Sequence, residues 1–453
     1  MGVLKISPAV RVELWVTGSG GRPTIDEGAF AETMVDTNKL VCYNGILRNG
    51  TGRAIGKDEC QKAIYEILRE LGVTSNLASR VKNIYEVIKI ASCVESVSVP
   101  QNQIAVKNGT LTVNLKTGDI EFTKEERFSI HRLNCNFNPE EKTAPPKRFL
   151  EWVNNLIHEY DMDGFQEYLG YLLLPITKLQ KAMILLGRGQ EGKSRIGLVL
   201  QYLFENACAS STVDYFENNA FALPRAENKL VLFQDDLKKD KLKSTEVFKM
   251  MVSAEIPLQA EQKHERVYSF TPYARWVICS NAPLSALHDN GHGFYRRLYC
   301  IRVKNRPPDR VDDPFYFEPM KDEMDGIFIW MLQGLQRLIK NGWKLSESIE
   351  SKDLVADQQE QENSLLSFMK SELKFGRSYS VTKSALYAAY QKFCVQNGLL
   401  PQKRPEMWTF FEEQLDNLNI RKDKHLGESR GQEGYVGMCL KSTAEILDLL
   451  DGR

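Results

Sequence analysis

The sequence predicts an α/β fold, in which a central domain with a parallel sheet stands between a mixed α+β region and a C-terminal region of helices and short strands. Three short, wholly apolar runs predict the sheet, at residues 183–186, 230–233 and 276–279. Each run is bounded by turn residues and separated from the next by helical periodicity, which is typical of buried parallel strands. The composition, 42% hydrophobic and 26% charged, is that of a folded globular protein.

Length, charge and cysteine content limit the number of domains and argue against several classes of protein. With 453 residues, the chain should hold two or three domains of about 100–200 residues each. Lys plus Arg and Asp plus Glu both number 59, so any contact with nucleic acid must come from local positive charge. The nine scattered cysteines form no CxxC pair, which argues against a disulfide framework or a zinc module.

The chain shows no signal for a membrane. No apolar run approaches the roughly 20 residues that span a bilayer, and residues 1–16 lack the pattern of a signal peptide. We therefore expect a cytoplasmic protein with no membrane partner.

The region before the central domain has its own pattern. Helical spacing over residues 60–91, broken at Gly72, predicts a helical hairpin, and alternation over residues 103–122 predicts short paired strands. Pro139, Pro145 and Pro146 interrupt both patterns. We therefore predict an N-terminal α+β domain over residues 1–147 and the central domain over residues 148–345.

The C-terminal part predicts a winged helix. Residues 346–364 form a polar linker, and residues 365–453 follow with the order helix, strand, helix, helix and basic hairpin. The third helix and the wing of such a domain usually contact DNA. The candidate DNA-binding residues here are Lys403, Arg404, Lys422 and Lys424. Nearby acids such as Glu412 reduce the local positive charge, and docking of a protein is an alternative role for the domain.

A phosphate-binding loop follows the first predicted strand. The residues Gly187-Arg-Gly-Gln-Glu-Gly192-Lys193-Ser194 match G-x-x-x-x-G-K-[ST], with a strand before them and a helix after them. In such a loop backbone N–H groups point at the β-phosphate, the lysine neutralises phosphate oxygens and the hydroxyl binds Mg²⁺. The alternative is a glycine-rich loop that binds nothing. The predicted ATP-binding residues are Gly187, Gly189, Gln190, Glu191, Gly192, Lys193, Ser194 and Arg195.

Polar residues end the next two strands. Asp235 and Asp236 follow the second apolar run, and Asn281 follows the third. At the carboxyl edge of a parallel sheet, one carboxylate would hold Mg²⁺, the other would orient the attacking water, and the amide would contact the γ-phosphate. Taken alone, the pair of acids is equally typical of a turn, and Asn281 alone is more typical of a turn that begins before Pro283.

Two arginines precede the last predicted strand of this domain. Arg296 and Arg297 follow a glycine-containing loop, and arginine supplied by a neighbouring subunit can stabilise transition-state charge. A solvated arginine pair is the alternative. His288 and His292 are spaced as in some metal sites, but Asn290 and Gly291 between them disfavour a helix and no HExxH motif accompanies them.

This set of motifs resembles the AAA+ motor of superfamily 3 DNA helicases. In viral members a Lys-His pair between the second and third motifs forms the tip of a hairpin that binds DNA in the central pore, and Lys263-His264 occupy that place here. The segments Phe149-Leu-Glu-Trp152 and Gly293-Phe-Tyr-Arg-Arg-Leu298 are similar to the phage/plasmid and poxvirus primase-helicase branch. Replication initiator helicases of Gram-positive mobile genetic islands share the layout, which implies the cytoplasm of a bacterial host.

Two residues depart from the pattern of that branch. Glu191 stands where Asn is usual, which affects a contact to the γ-phosphate, and Asp236 stands where Glu is frequent. Which of Asp235 and Asp236 is the catalytic acid, and which of Arg296 and Arg297 is the finger, is left open. Asp161 and Asp163 are interpreted as helix-capping residues, so no primase domain is expected in these residues.

The resemblance implies an ATP- and Mg²⁺-dependent DNA helicase and replication initiator that works as a homo-hexamer. Its partners would be single-stranded and forked DNA, with origin duplex DNA as a further partner, and residues 1–147 would form an oligomerisation collar. An alternative is an AAA+ winged-helix regulator that remodels a protein partner without unwinding DNA. A metabolic P-loop kinase is a third reading.

Overall fold

The computed structural model describes residues 4–6, 14–17, 23–140, 143–237, 242, 244–261, 267–286, 292–311, 313–397, 399, 401–414, 418, 420–426 and 432–442. The chain forms two compact units. The first comprises Met1–Lys239, Glu246–Ala282 and Ile301–Ser348, and the second comprises Asp240–Thr245, Pro283–Cys300 and Ile349–Arg453. None of the helices in the described residues combines the length and the apolar character needed to cross a bilayer.

The first part of unit 1 is a small α+β assembly. Its elements are β1 (Trp15–Thr17), β2 (Pro23–Ile25), α1 (Glu27–Asn38), β3 (Val41–Tyr43), β4 (Ile46–Arg48), α2 (Lys57–Glu70), α3 (Leu77–Ala91), β5 (Gln103–Val106), β6 (Gly109–Val113) and β7 (Ile120–Thr123). Helices α2 and α3 form the predicted helical hairpin. Their apolar faces share one core with α1, which includes Phe30, Ile64 and Ile84. Strands β5, β6 and β7 form an antiparallel sheet, as the alternation predicts.

The central part of the chain carries the predicted strands. Its elements are α4 (Lys147–Leu156), α5 (Met162–Tyr171), β8 (Ala182–Leu186), α6 (Arg195–Phe204), β9 (Cys208–Ser210), α7 (Val213–Asn218), β10 (Val231–Leu237), α8 (Glu246–Val252), β11 (Leu258–Ala260), β12 (Tyr268–Phe270), β13 (Arg275–Ser280), α9 (His292–Tyr295), β14 (Leu298–Arg302) and α10 (Met324–Lys340). The mixed α/β class predicted from the apolar runs is confirmed by these elements.

The sheet brings the ends of three strands to one edge. Its five strands have the order β14-β8-β13-β10-β9, and β8, β13, β10 and β9 run parallel. All five residues of β8 and all six of β13 are buried, which explains why both strands are continuous apolar runs. Because the strands are parallel, the residues that follow β8 and β13 and the last residues of β10 lie at the same edge.

Helices α5 and α10 approach each other closely through two glycines. A Cβ atom added to Gly170 would lie 2.3 Å from the carbonyl oxygen of Met331, and one added to Gly334 would lie 2.3 Å from that of Gln166. We predict that Gly334→Ala lowers the free energy of unfolding by about 2–3 kcal/mol, because the methyl group must push the helices apart. Gly56→Ala, at a position with open space, is the control in urea unfolding. Equal stability of the two variants would contradict this packing.

A buried histidine should make the stability of unit 1 depend on pH. Nε2 of His131 lies 2.7 Å from the hydroxyl of Tyr273. Burial, together with the positive charges of Arg275 and Arg48, lowers the pKa of His131 to about 3. The unfolded chain takes up this proton near pH 6.5, so the folded state binds fewer protons between these values. The free energy of unfolding should therefore fall as the pH drops from about 6.5 towards 3, by at most ~1.4 kcal/mol per pH unit from this group.

Unfolding measured across that range checks the prediction. In the His131→Gln variant, the free energy of unfolding should change less between pH 6 and pH 4 than in the wild type. The substituted side chain takes up no proton in the unfolded state. His425→Gln, at an exposed histidine of unit 2, should keep the wild-type slope. A His131→Gln profile as steep as that of the wild type would assign the slope to other groups.

The C-terminal part of unit 2 has its own core. Its elements are α11 (Ile349–Glu362), α12 (Ser364–Glu372), β15 (Leu373–Thr382), α13 (Lys383–Gln396), α14 (Arg404–Gln414), β16 (Arg421–Asp423) and β17 (Gly434–Leu440). Strands β15, β17 and β16 form an antiparallel sheet, and Leu386, Tyr390 and Phe411 belong to the core. This order of helices and strands is the predicted one, whereas identity as a winged helix stays a prediction.

Candidate nucleotide-binding site

The glycine-rich loop lies between β8 and α6, as its motif predicts. Three residues of the loop have positive φ angles, 113° at Gly189, 67° at Gln190 and 96° at Gly192. Glycine adopts this conformation without a steric penalty. The N–H of Gly187 donates to the carbonyl oxygen of Ser280 at 3.0 Å, which fixes the start of the loop against the end of β13.

Lys193 connects two of the predicted motifs. Its Nζ lies 3.1 Å from Oδ1 of Asn281 and 2.7 Å from Oε2 of Glu191. The side chain is only 6% exposed, and the two partners accept from two of the three N–H groups of its ammonium. Asn281 and Lys193 come from different strand ends, and their contact shows that the sheet edge brings both motifs to one place.

The hydroxyl of Ser194 joins the third motif to this place. It donates to Oδ1 of Asp235 at 2.7 Å. These two oxygen ligands are of the kind that Mg²⁺ prefers, and further ligands would come from water and phosphate oxygens. The residues present therefore fit a bound magnesium ion.

Asp236 has an unusual backbone conformation. Its φ angle is 55°, and the pairing of β10 with β13 shifts register between Gln234 and Leu237. Strained backbone of this kind costs of order 1–3 kcal/mol and clusters at functional sites. Because of the bulge, Asp235 and Asp236 are both exposed, whereas strict alternation along a strand would turn them to opposite faces of the sheet.

Glu191 is the most buried charged group of the loop. Its side chain is 3% exposed, and Oε1 accepts hydrogen bonds from the N–H groups of Arg188 and Gly189. Burial disfavours the charged form, but the hydrogen bond from Lys193 and those from the loop N–H groups hold the pKa of Glu191 below its usual value. The carboxylate is therefore ionised at neutral pH.

A segment that no motif predicted completes the site. The guanidinium of Arg310 donates to the carbonyl oxygens of Glu191 at 2.7 Å and Gln190 at 3.1 Å. Nε1 of Trp152 donates to the carbonyl oxygen of Gly192 at 3.2 Å. These bonds hold the outer side of the loop. The sequence around Arg310, Pro307-Pro308-Asp309-Arg310, carries no periodic or motif signal that could have identified it.

A cleft of about 420 Å³ opens at this edge of the sheet. The residues that line it are Gly189, Gln190, Glu191, Gly192, Lys193, Ser194, Arg195, Asp235, Asp236, Cys279, Ser280, Asn281 and Arg310. Of the predicted ATP-binding residues, only Gly187 is not part of this lining. Arg195 also stacks on Tyr316, with its guanidinium carbon 4.5 Å from the ring centroid.

The two candidate finger arginines lie in unit 2. Nη1 of Arg297 donates to the carbonyl oxygen of Gly293, which closes the turn between α9 and β14. The Arg297 side chain is half-buried and that of Arg296 is exposed. Their role toward a nucleotide stays a prediction.

The predicted DNA-contacting hairpin is described only in its arms. Strands β11 and β12 pair antiparallel, with Ala260 opposite Tyr268, whereas Lys263 and His264 lie outside the described residues. The hydroxyl of Tyr268 donates to Oε2 of Glu227 at 2.7 Å, and Nδ2 of Asn44 donates to Oε1 of the same carboxylate at 2.7 Å. Glu227 therefore ties one arm of the hairpin to the turn between β3 and β4.

The C-terminal candidates for DNA contact are all on the surface. Lys403, Arg404, Lys422 and Lys424 are exposed. Lys422 forms an ion pair with Glu412, and the guanidinium carbon of Arg404 lies 4.9 Å from the ring centroid of Tyr387. Glu412 therefore neutralises one of the four predicted cations, as the sequence led us to expect.

Comparisons with known proteins find one family model and solved structures of low sequence identity. A model described as a family of unknown function, DUF5906, matches residues 185–297, which include the loop, both aspartates, Asn281 and the two arginines. No curated protein matches. A solved structure titled "The A form apo structure of NrS-1 C terminal region-CTR" is 13% identical, with 91% of this chain and 100% of that chain covered and a TM-score of 0.49.

A second solved structure gives nearly the same values. It is titled "The apo structure of NrS-1 C terminal region (305-718)", with 13% identity, coverage of 91% and 99%, and a TM-score of 0.49. With identities this low and TM-scores under 0.5, these matches leave the geometry of the site as the basis for assigning a function.

Proposed function

We propose that this protein is an ATP-driven DNA helicase of the superfamily 3 type that acts as a ring, with a homo-hexamer as the expected assembly. One observation carries the proposal: the sheet edge brings Lys193, Asn281 and the Ser194–Asp235 pair together around one cleft, with contacts of 3.1 Å and 2.7 Å. These are the side chains that ATP hydrolysis requires, contributed by three separate strand ends.

Five side chains of the cleft are assigned roles in hydrolysis. Lys193 neutralises the β- and γ-phosphate oxygens, and Asn281, bonded to Lys193, senses the γ-phosphate. Ser194 and Asp235 would hold Mg²⁺, which would supply positive charge to stabilise the negative charge that develops on the phosphates. Because Asp235 is engaged with Ser194, Asp236 is the carboxylate assigned to orient the attacking water.

The remaining charge stabilisation comes from a neighbouring subunit. We assign this role to Arg297, with Arg296 as the alternative, by resemblance to helicases that place an arginine finger between subunits. A mixing experiment tests the assignment. Lys193→Ala and Arg297→Ala should each be inactive alone, whereas mixed rings should recover part of the ATPase activity, since some junctions combine an intact loop with an intact finger.

The hairpin formed by β11 and β12 is assigned to DNA. Lys263 and His264 fall between its two arms, where a basic tip can contact the phosphate backbone. Such binding shows little base preference and weakens with salt. Lys403, Arg404 and Lys424 are assigned to a second, duplex contact at an origin, which makes the protein a replication initiator as well.

The decisive test measures ATPase activity and oligomer size together on the full chain. We expect single-stranded DNA to stimulate ATP hydrolysis severalfold and ATP with Mg²⁺ to favour a ring seen by light scattering. A monomer whose ATPase rate is unchanged by DNA and by Arg297→Ala would instead support the metabolic kinase as the function. A DNA-insensitive ring would support a machine that remodels proteins.

A further inference from the structure

The glycine-rich loop encloses the side chain of Glu191. Its Oε1 accepts from the N–H groups of Arg188 and Gly189, the latter at 2.8 Å, and its Oε2 accepts from Nζ of Lys193 at 2.7 Å. Two backbone N–H groups and an ammonium are the donors with which such a loop binds phosphate. The carboxylate therefore uses the donors that a nucleotide needs.

Gly187 shows that this carboxylate lies inside the curve of the loop. A Cβ atom added there would lie 2.5 Å from Nζ of Lys193 and 2.8 Å from Oε1 of Glu191. The side chains of Lys193 and Glu191 therefore lie directly against the backbone of Gly187, the first glycine of the loop. A phosphate in the same position would meet a like charge within a buried space, where charge repulsion is poorly screened.

We infer that the carboxylate of Glu191 is an internal competitor for the nucleotide's β-phosphate and thereby sets the affinity of the site for phosphate-bearing ligands. Binding then requires an exchange, in which Glu191 leaves the loop and Lys193 transfers its hydrogen bond to phosphate. The backbone need not move, since Arg310 and Trp152 hold the carbonyl oxygens on the outer side of the loop. This inference rests on the proposed nucleotide site.

Glu191→Gln tests the competition directly, because it keeps the shape of the side chain and removes its charge. Calorimetric titration of the full chain with Mg²⁺ should show ATP and ADP bound about tenfold more tightly than by the wild type, which corresponds to ~1.4 kcal/mol. AMP has no β-phosphate and should bind with unchanged affinity. Glu205→Gln, at an exposed carboxylate after α6, should match the wild type for all three ligands.

The outcomes separate this inference from the proposed function. Equal or weaker binding of ATP and ADP by Glu191→Gln, with normal binding by the wild type, overturns the competitor role and leaves the nucleotide site standing. An equal gain for AMP also overturns it, because the gain then does not depend on the β-phosphate. Failure of the wild type itself to bind ATP refutes the proposed function and, with it, the inference.

A second variant separates the effect of the lost charge from an effect of misfolding. Glu191→Asn also lacks the charge but is shorter, so it should raise the affinity for ATP and ADP in the same direction. Thermal unfolding without nucleotide shows whether each variant is folded, and the ligand-induced rise in Tm should be larger than for the wild type at the same ATP concentration. A smaller rise in both folded variants contradicts the exchange.

Discussion

Lys193→Ala should lower ATP turnover by about a hundredfold or more, the largest effect that we expect from a single substitution. Among the described residues, the Lys193 ammonium is the only side-chain cation that is hydrogen-bonded inside the loop. Its Nζ lies 2.7 Å from Oε2 of Glu191 and 3.1 Å from Oδ1 of Asn281. Loss of one charge-stabilising donor from a preorganised site costs about 10²–10³ in rate. Steady-state ATPase assays with Lys392→Ala, at an exposed lysine of α13, as control measure the loss.

The Lys193→Ala substitution should also lower the free energy of unfolding. Without Lys193 the carboxylate of Glu191 stays buried and loses the one charged partner that it has in the described part of the chain, which should cost about 3 kcal/mol. Glu191→Gln combined with Lys193→Ala should recover most of this loss, because no unpaired charge is left. Additive losses in the double variant would contradict the stabilising ion pair between Glu191 and Lys193. Full activity of Lys193→Ala would show that the loop does not work as a phosphate site.

Replacement of the two aspartates should have the second largest effect, with a different outcome at each position. Asp235→Asn should lower turnover about a hundredfold and raise the Mg²⁺ concentration needed for half-maximal rate, because Asp235 is bonded to Ser194 at 2.7 Å. Asp236→Asn should lower kcat by a similar factor while ATP affinity is retained. Asn tolerates the positive φ angle of 55° at this position, so the substitution tests the carboxylate and not the backbone.

Magnesium titrations of the ATPase distinguish the two roles. Asp353→Asn, at an exposed aspartate of α11, should behave as the wild type. If Asp236→Asn shifts the Mg²⁺ requirement and Asp235→Asn does not, the two assignments must be exchanged. Unchanged kcat in both variants would remove the pair from the mechanism.

The sheet and its motifs were predictable because their signals are local. Buried parallel strands are apolar throughout, so β8, β10 and β13 could be located from composition, and the end of each strand pointed to Lys193, Asp235 and Asn281. The edge strand β9 (Cys208–Ser210) is not fully buried and has no apolar run, so no such signal marked it.

The rest depends on contacts between distant parts of the chain. Arg310 reaches the loop from a segment without periodicity, and Gly170 meets α10 only after folding. Strand β15 starts at Leu373 because it pairs with β17, which lies much later in the chain. The sequence marked Glu191 only as a departure at a contact to the γ-phosphate, since its burial against Lys193 follows from the three-dimensional curve of the loop.

Strand displacement on a forked DNA duplex tests the central claim most directly, with wild type, Lys193→Ala and Lys263→Ala compared in the presence of ATP and Mg²⁺. The account predicts unwinding by the wild type and none by Lys193→Ala. It further predicts that Lys263→Ala loses both unwinding and affinity for single-stranded DNA while ATP binding persists. Unwinding and single-strand affinity that are unchanged in Lys263→Ala, or a wild-type ring that hydrolyses ATP without separating the strands, would contradict it.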